Sequence, residues 1–374
     1  MNEIFEKIVK IKFDYFLESK EYGVKFLIYS QSKKELNYLN DYLTERIENF
    51  EEVIKLYYVE NEKIFNNISK KLENKKYEII QTFFNKIHYK YRVRIDNKVF
   101  IEIYKSEKND YFIIKWNKNI IICNKIQKNN HLLIYIYREI VYRYFENNNY
   151  IMLHGACFEN NKKGYIICGK SGSGKSTFLI SALENSNYFI SNDRVLISKN
   201  LVINSFPMPL RIGLGTVYSN DKLKKFIINN FDFLKRDNIF SKEDILIEKI
   251  SIKEKIEITI KEIESCYHKI GNNFIKLEAI IIPEFDKNRK EEEIELISKE
   301  DIVEYLLNEK YTPNDPLWTN DWIYKRNLDI NQLSFLSEKI LREIISKVNI
   351  FRIKFGPKLN KNFDQLITKL DKYN

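Results

Sequence analysis

The sequence predicts a mixed α/β fold with two domains, and three observations support this prediction. The chain has 374 residues, which is enough for two domains of ordinary size. Short runs rich in β-branched and aromatic residues alternate with longer stretches whose apolar residues have a helical spacing. Seven of the ten glycines lie between Gly155 and Gly215. Because glycine is used where the backbone turns tightly or approaches a ligand, this cluster predicts the position of the functional site.

The first 128 residues are predicted to form an N-terminal accessory domain. The elements predicted here and at the boundary are helices at 34–49 and 66–86, strands at 99–104, 111–116 and 119–124, and a helix at 131–147. Polar turns join the three strands, so we expect an antiparallel meander. The predicted domains are 1–128 and 129–374, with a boundary in the region 128–149.

Residues 129–374 are predicted to form a strand–loop–helix core followed by a helix-rich C-terminal part. The core elements are strands at 150–158 and 164–168, a helix at 175–185, and short strands at 188–191 and 194–198. The later elements are helices at 221–235, 260–269, 299–308 and 331–348, with apolar strands at 277–283 and 350–355. A proline-framed stretch at 311–322 holds two of the three tryptophans. The sequence leaves open whether this stretch is a binding lid or a clamp between domains.

The composition excludes several classes of protein. Hydrophobic residues make up 44% and aromatic residues 14%, which excludes a disordered chain. No apolar stretch approaches the ~20 residues of a membrane helix, and the N-terminus lacks the basic-then-apolar order of a signal peptide. The four cysteines form no close pair, which argues against a disulfide framework and a zinc site. We therefore expect a cytoplasmic protein with no membrane partner.

The net charge of +10 suggests a nucleic-acid partner at first. Lysine and glutamate are interleaved along the whole chain, however, and no basic run reaches five residues. This pattern favours a solvated, lysine-rich surface over a face that binds nucleic acid.

An eight-residue glycine-rich stretch fits the spacing G-x-x-x-x-G-K-[ST] at every position. The candidate phosphate-binding residues are Gly169, Lys170, Ser171, Gly172, Ser173, Gly174, Lys175, Ser176 and Thr177. In this motif successive backbone N–H groups point inward around a phosphate, and the following helix adds the partial positive charge of its N-terminus. An apolar strand directly before the stretch and an apolar helix after it provide the context that the motif requires. The sequence therefore predicts a phosphate-binding loop.

Two loop side chains and one carboxylate are candidates for nucleotide and metal binding. We expect Lys175 to reach the β- and γ-phosphates of ATP and the Ser176 hydroxyl to ligate Mg²⁺. Such a site also needs a carboxylate that holds the metal or activates the acceptor. Asp193, at the end of a short apolar strand, is the best candidate for both roles. The alternative is a turn aspartate between two strands.

The region around the loop resembles the catalytic domain of HPr kinase/phosphorylase and its relatives. The matching residues are Leu153-His154-Gly155-Ala156, the loop itself and Ile190-Ser191-Asn192-Asp193-Arg194-Val195, within residues 150–216. The family has a fold related to phosphoenolpyruvate carboxykinase and includes kinases of peptide-modification gene clusters. The resemblance implies an ATP- and Mg²⁺-dependent kinase that phosphorylates a hydroxyl of a peptide, protein or small molecule. Since the family is often oligomeric, the resemblance also implies a homo-oligomer.

The chain departs from the family pattern at two places. Asn192 occupies the position of the aspartate thought to act as base, and an amide does not accept a proton at neutral pH. Either Asp193 serves as both base and metal ligand, or the base lies elsewhere. The stretch Leu210-Arg211-Ile212-Gly213-Leu214-Gly215 lacks the family's glutamate, so a second acidic ligand and the reverse phosphorylase reaction are not supported.

His154 and Arg211 are further catalytic candidates. His154 matches the family's His-Gly pair and is expected to bind the acceptor or orient Asp193, with a buried structural histidine as the alternative. Arg211 is expected to neutralise the transferred phosphate, because a guanidinium suits bidentate phosphate contact. Arg194 has the same chemistry, but for this residue an ion pair is the favoured interpretation.

Three functional hypotheses remain at this point. The leading one is a kinase in which residues 1–128 contribute to acceptor recognition. The second is a nucleotide-binding regulatory or assembly protein without productive transfer, and Asn192 is its main support. The third is an ATPase that acts with nucleic acid, supported only by the net charge.

The loop assignment gives a first testable prediction. Lys175→Ala should abolish ATP binding or phosphoryl transfer without unfolding the protein, because it removes the charge that meets the β- and γ-phosphates. Titration calorimetry with MgATP on both proteins, with circular dichroism as the control for folding, measures the effect. Equal ATP affinity in the variant and the parent protein would contradict the assignment.

Overall fold

The computed structural model describes residues 2–21, 23–43, 50, 52–76, 78–82, 88–95, 98–105, 108–125, 131–230, 255–272, 274–318, 323–357 and 359–373. The chain divides into two compact units. The first comprises Met1–Asn148 and Pro313–Asn331, and the second comprises Asn149–Thr312 and Gln332–Asn374. Both contain helices and β-sheets, which confirms the predicted mixed α/β class.

Strands make up most of the first unit. They are β1 (Tyr15–Glu21), β2 (Val24–Ser30), β3 (Glu52–Glu60), β4 (Glu78–Thr82), β5 (His88–Ile95), β6 (Lys98–Lys105), β7 (Lys108–Trp116) and β8 (Asn119–Asn124). Within the described residues they form an eight-stranded sheet in the order β1-β2-β3-β8-β7-β6-β5-β4. β3 pairs parallel with both β2 and β8, and the other neighbours are antiparallel. The predicted meander is therefore confirmed for β6 to β8 and continues into β5 and β4.

The described helices of the first unit are α1 (Asn2–Val9), α2 (Lys33–Asn40), α3 (Glu62–Leu72) and α4 (Leu132–Asn147). α1 and α3 share a buried core with the sheet, in which Phe5 and Phe65 pack with Phe112. The predicted helix at 66–86 is wrong in its second half, because β4 follows where the helix was expected to continue. The predicted helical residues 44–49 lie outside the described residues.

Buried charges place helix α4 in the first unit. Arg143 is fully buried and donates to both carboxylate oxygens of Glu146 at 2.9 Å. Arg326, from the returning segment 313–331, donates to the same carboxylate at 2.7 Å. Separating these groups would leave buried charges without partners, which is strongly unfavourable. The division into compact units falls after Asn148, within the predicted boundary region 128–149 and beyond residue 128, at which the predicted domain bounds were drawn.

The tryptophan-containing stretch is likewise divided between the units. The chain leaves the second unit after Thr312, and Trp318 is a buried residue of the first unit with only 1% of its surface exposed. Its ring lies 5.8 Å from that of Tyr142 on α4. Trp318 therefore belongs to the core of the first unit and is not part of a solvent-facing lid.

The second unit contains the phosphate-loop sequence. Its strands are β9 (Tyr150–Leu153), β10 (Gly155–Asn160), β11 (Lys163–Cys168), β12 (Tyr188–Ser191), β13 (Val195–Ser198), β14 (Val202–Asn204), β15 (Leu210–Gly213), β16 (Lys255–Ile258), β17 (Phe274–Phe285), β18 (Glu293–Leu296) and β19 (Asn349–Phe355). Its helices are α5 (Lys175–Glu184), α6 (Leu214–Tyr218), α7 (Asp221–Asn230), α8 (Ile260–Tyr267), α9 (Lys299–Asn308), α10 (Ile330–Lys347) and α11 (Leu359–Asp371). The predicted helical residues 231–235 lie outside the described part of the chain.

The long strand β17 organises the sheet of the second unit. Within the described residues this sheet has nine strands, with the path β12-β10-β11-β17-β14-β13-β9, β19 beside β17, and β18 beside β19. The first residues of β17 pair antiparallel with β14, whereas its later residues lie parallel to β11 and β19. The carboxyl ends of β11, β17 and β19 therefore meet at one edge of the sheet.

The predicted strand at 150–158 is two strands with different partners. β9 pairs with β13, whereas β10 pairs with β11 and β12. The break falls at His154, whose backbone N–H donates to the carbonyl of Glu309 at 2.7 Å. This bond holds His154 at the junction between β9 and β10.

No helix in the described part of the chain is both long enough and apolar enough to cross a membrane.

Candidate functional site

The glycine-rich loop connects β11 to α5 at the edge where three parallel strands end. Its backbone is attached to the sheet, because the N–H of Phe285 donates to the carbonyl of Ser173 at 3.1 Å. In α/β sheets, ligands characteristically bind beyond the carboxyl ends of parallel strands. The sheet therefore supports the loop on the side expected for a ligand site.

Gly174 lets the loop approach the sheet closely. Its φ of +95° lies in the left-handed region, and it caps α5 without a side-chain hydrogen bond. A Cβ at this position would lie 2.8 Å from Phe355 Cζ and 2.9 Å from Phe285 Cβ. Both the backbone angle and the available space therefore require glycine. The first N–H groups of α5 are consequently not capped by this residue's side chain, as an anion-binding helix end requires.

The hydroxyl of Ser173 fits a polar ligand. Its Oγ is buried and has no hydrogen-bond partner among the described residues. A buried hydroxyl without a partner is costly, so an acceptor from a bound ligand would stabilise it. This observation agrees with the predicted role of the loop in holding phosphate oxygens.

Lys175 lies within the curve of the loop. Its Nζ donates to the carbonyl of Gly169 and, at 3.2 Å, to that of Lys170. Burial lowers the pKa of Lys175, and the nearby carboxylates of Glu309 and Asp193 oppose this effect. The ammonium group is therefore partly desolvated, which would strengthen its attraction to phosphate oxygens.

The two hydroxyls that follow Lys175 contact a neighbouring segment. Ser176 Oγ donates to the carbonyl of Arg211 at 3.3 Å, and Thr177 Oγ1 lies 3.0 Å from Thr216 Oγ1. The guanidinium of Arg211 instead pairs with Glu257 at 3.0 Å and is about half exposed. The backbone of Arg211 therefore contacts the loop, whereas its guanidinium group pairs with Glu257 instead.

Asp193 lies at the bend after β12, close to several polar side chains. Its φ of +63° is left-handed, which aspartate tolerates better than most residues do. Arg194 pairs directly with its carboxylate and lies 4.9 Å above the ring of Tyr311. Arg194 is nearly buried, so it is the ion-pair partner that the sequence favoured.

His154 is fixed by three contacts. Its Nδ1 lies 2.8 Å from Glu309 Oε2, its ring stacks on Tyr311 at 5.2 Å, and its Nε2 lies 3.9 Å from Asp193 Oδ1. Because an ionised carboxylate only accepts hydrogen bonds, the Glu309 contact favours the tautomer with hydrogen on Nδ1. The lone pair of Nε2 is then directed toward the side on which Asp193 lies.

Glu309 is the functional candidate that sequence analysis missed. It follows α9, has only 8% of its surface exposed, and contacts His154 through both its carboxylate and its backbone carbonyl. It is far from the loop in sequence and belongs to no motif. Only the pairing of distant segments reveals this carboxylate beside His154.

Asn192 has a structural role. It is 5% exposed, and its Nδ2 donates to the carbonyl of Pro209 at 3.1 Å. The neighbouring Ser191 hydroxyl accepts a hydrogen bond from the N–H of Phe206 at 3.1 Å. These bonds join the end of β12 to the segment before β15. The side chain of Asn192 therefore forms a buried hydrogen-bond bridge between these two segments.

No set of three or more His, Cys, Asp or Glu in the described chain is arranged to hold a metal ion. Ser176 and Asp193 would consequently bind Mg²⁺ only together with phosphate oxygens. This arrangement is the usual one for Mg²⁺, which takes one or two protein ligands and completes its shell with phosphates and water.

The chain matches no protein-family model and no curated protein.

The buried position of Asn192 generates a second prediction. Asn192→Asp should destabilise the protein by about 1–3 kcal/mol, because a carboxylate would face the Pro209 carbonyl in place of a hydrogen-bond donor. Denaturant unfolding at neutral pH measures the change. Asp221→Asn, at the exposed start of α7, is the control for a single Asn/Asp exchange. Unchanged stability of Asn192→Asp would show that this side chain does not form the bridge.

Proposed function

We propose that this protein is an HPr kinase-like kinase that transfers the γ-phosphoryl group of ATP to a hydroxyl of a peptide, protein or small molecule. One observation carries the proposal. The phosphate-loop lysine, Lys175, lies in the electrostatic field of Asp193 and Glu309, and those two carboxylates flank His154. Phosphoryl transfer needs a phosphate cradle beside a group that receives the acceptor.

The loop residues fit the phosphates of ATP. The backbone N–H groups of residues 172–176, the Ser173 hydroxyl and the Lys175 amine would bind phosphate oxygens. Ser176 and Asp193 would hold Mg²⁺, which supplies charge neutralisation at the phosphates when bound. The pairing of Asp193 with Arg194 fixes the carboxylate and places a positive charge beside it.

We infer that His154 is the proton acceptor in place of the family's aspartate. Asn192 is buried and is an amide, so it does not supply a base. His154 Nε2 would accept the hydroxyl proton as the acceptor oxygen bonds to the γ-phosphorus. The bond from phosphorus to the bridging oxygen breaks, and its electron pair leaves with ADP. Glu309 and Asp193 would then stabilise the imidazolium from its two sides.

A second candidate function is a nucleotide-binding regulatory or assembly protein. Two contacts favour it. Arg194 already pairs with Asp193, and Lys175 already bonds to loop carbonyls, so both charged groups have protein partners. In this case ATP would bind without transfer. The ATPase acting with nucleic acid has only the net charge in its favour.

Phosphate release separates the two candidates. The protein is incubated with ATP labelled on the γ-phosphate, Mg²⁺ and a panel of hydroxyl-bearing peptides and small molecules. Asp193→Asn should lower transfer and background hydrolysis by about 100-fold or more, because it removes the carboxylate that serves the metal. Glu264→Gln, which neutralises an exposed carboxylate on α8, should leave both rates unchanged. ATP binding by the parent protein with neither transfer nor hydrolysis would favour the regulatory function.

The His154–Glu309 contact gives a fourth prediction. Glu309→Gln should lower the turnover number about tenfold or more, because the amide no longer fixes the tautomer or stabilises the imidazolium. Because the charge of Glu309 also acts on Lys175, the loss is measured at saturating MgATP, where it should persist. His154→Gln should cost at least as much, and the double variant should be no slower than His154→Gln alone. Additive losses in this double-mutant cycle would mean that Glu309 acts independently of His154.

A further inference from the structure

Phe285, the last residue of β17, is an exposed aromatic residue beside the glycine-rich loop, and the proposed phosphoryl transfer gives it no role. It is 42% exposed, whereas Phe355, its partner in the neighbouring strand β19, is fully buried. Single apolar side chains are often exposed on protein surfaces, so exposure alone indicates no function. The position of this ring beside the loop distinguishes it from the others.

Phe285 touches the loop at two places. Its backbone N–H donates to the carbonyl of Ser173 at 3.1 Å, and its Cβ lies 2.9 Å from the point that a Cβ on Gly174 would occupy. The next loop residue is Lys175, which we expect to meet the β- and γ-phosphates. Only the ribose and the α-phosphate separate the base of ATP from its β-phosphate. The Phe285 ring is therefore within reach of the base of a nucleotide held in the loop.

The end of β19 holds Phe285 in a fixed position. Phe285 is paired with Phe355 in the parallel register of the two strands, and their ring centres are 5.5 Å apart. The N–H of the following residue, Asp286, donates to the carbonyl of Phe355 at 2.9 Å. A ring that is fixed before a ligand arrives loses little conformational freedom on binding, which favours stacking on a flat ligand.

The surroundings of the Phe285 ring are polar. Exposed residues flank it in sequence: Glu284, Asp286, Lys287 and Asn288. Asp286 Oδ1 accepts a hydrogen bond from the N–H of Asn288 at 2.9 Å, so a polar turn follows the ring directly. One apolar ring within a polar segment offers too little apolar area for a protein partner. It matches a single planar base whose edges carry hydrogen-bonding groups.

We propose that the ring of Phe285 stacks on the purine base of ATP and forms a nucleobase subsite beside the phosphate loop. This inference rests on the proposed function, because phosphates held by the loop would position the base. Stacking on an aromatic side chain adds affinity for a base without requiring hydrogen-bond recognition. Phe285 would therefore raise the affinity for a nucleotide and leave the affinity for phosphate groups alone unchanged.

Two ligands separate the contribution of the base from that of the phosphates. MgATP carries both, whereas inorganic tripolyphosphate with Mg²⁺ presents the phosphate groups without a base. Each is titrated into the full-length protein and followed by calorimetry. Phe285→Ala should weaken the binding of MgATP about fivefold or more, which is the lower end of the loss when one base–aromatic stack is removed. The affinity for tripolyphosphate should stay the same.

Two further variants are the controls. Phe285→Tyr keeps the aromatic face and should bind MgATP about as tightly as the parent protein does. Phe335→Ala removes a ring that is 76% exposed on α10 and should change neither affinity. This variant matches the loss of apolar surface in Phe285→Ala at a position outside the proposed site.

Three results would overturn the subsite. They are unchanged MgATP affinity in Phe285→Ala, an equal loss of MgATP and tripolyphosphate affinity in that variant, and a loss in Phe285→Tyr as large as that in Phe285→Ala. In each case the parent protein still binds phosphates, so the kinase proposal keeps its basis. A parent protein that binds neither ligand would overturn both proposals. Nucleotide binding that depends on the Phe285 ring, without phosphoryl transfer, would support the subsite and contradict the kinase.

Discussion

The candidate site depends on the close approach of the glycine-rich loop to the ends of β17 and β19. Gly174 lies where a Cβ would collide with Phe285 and Phe355, so the absence of a side chain lets the loop reach the sheet. Phe355 contacts Phe178 on α5, with ring centres 5.5 Å apart, and Phe178 in turn contacts Phe363. This aromatic packing fixes the first turn of α5 relative to the parallel strands. The position of Lys175, the first residue of that helix, follows from it.

The acidic side of the site is formed differently, by residues at the ends of separate strands and helices. His154 ends one strand pair, Asp193 follows β12, and Glu309 follows α9. The ring of Tyr311 lies against both His154 and Arg194, and Arg194 pairs with Asp193. A buried carboxylate fixing an imidazole is a familiar way to orient a proton acceptor. In the proposed kinase it would take the place of the aspartate that the family resemblance expects at Asn192, whose side chain bonds to Pro209 inside the fold.

The first unit depends on a different interaction, the buried charge cluster of Arg143, Glu146 and Arg326. Two guanidinium groups share one carboxylate away from solvent, and removing one partner would leave an uncompensated charge. This cluster joins α4 to the segment 313–331, far apart in sequence. The same segment supplies Tyr324, whose hydroxyl donates a hydrogen bond to Glu52 of β3. One return of the chain therefore contributes both the buried charge cluster and a polar contact to the sheet of this unit.

The sequence alone was enough to predict the mixed α/β class and the glycine-rich loop between a strand and a helix, and it singled out His154 and Asp193, which the fold brings within 3.9 Å of each other. These features are local: spacing of apolar residues, glycines at fixed positions and a short motif carry them. The tertiary structure decided what depends on distant pairing. It divided the predicted strand at His154, turned Asn192 into an internal bridge, paired Arg211 with Glu257, and moved the domain boundary beyond α4. It also brought Glu309 to His154, because a carboxylate at the end of a helix acquires its partner only when the fold forms.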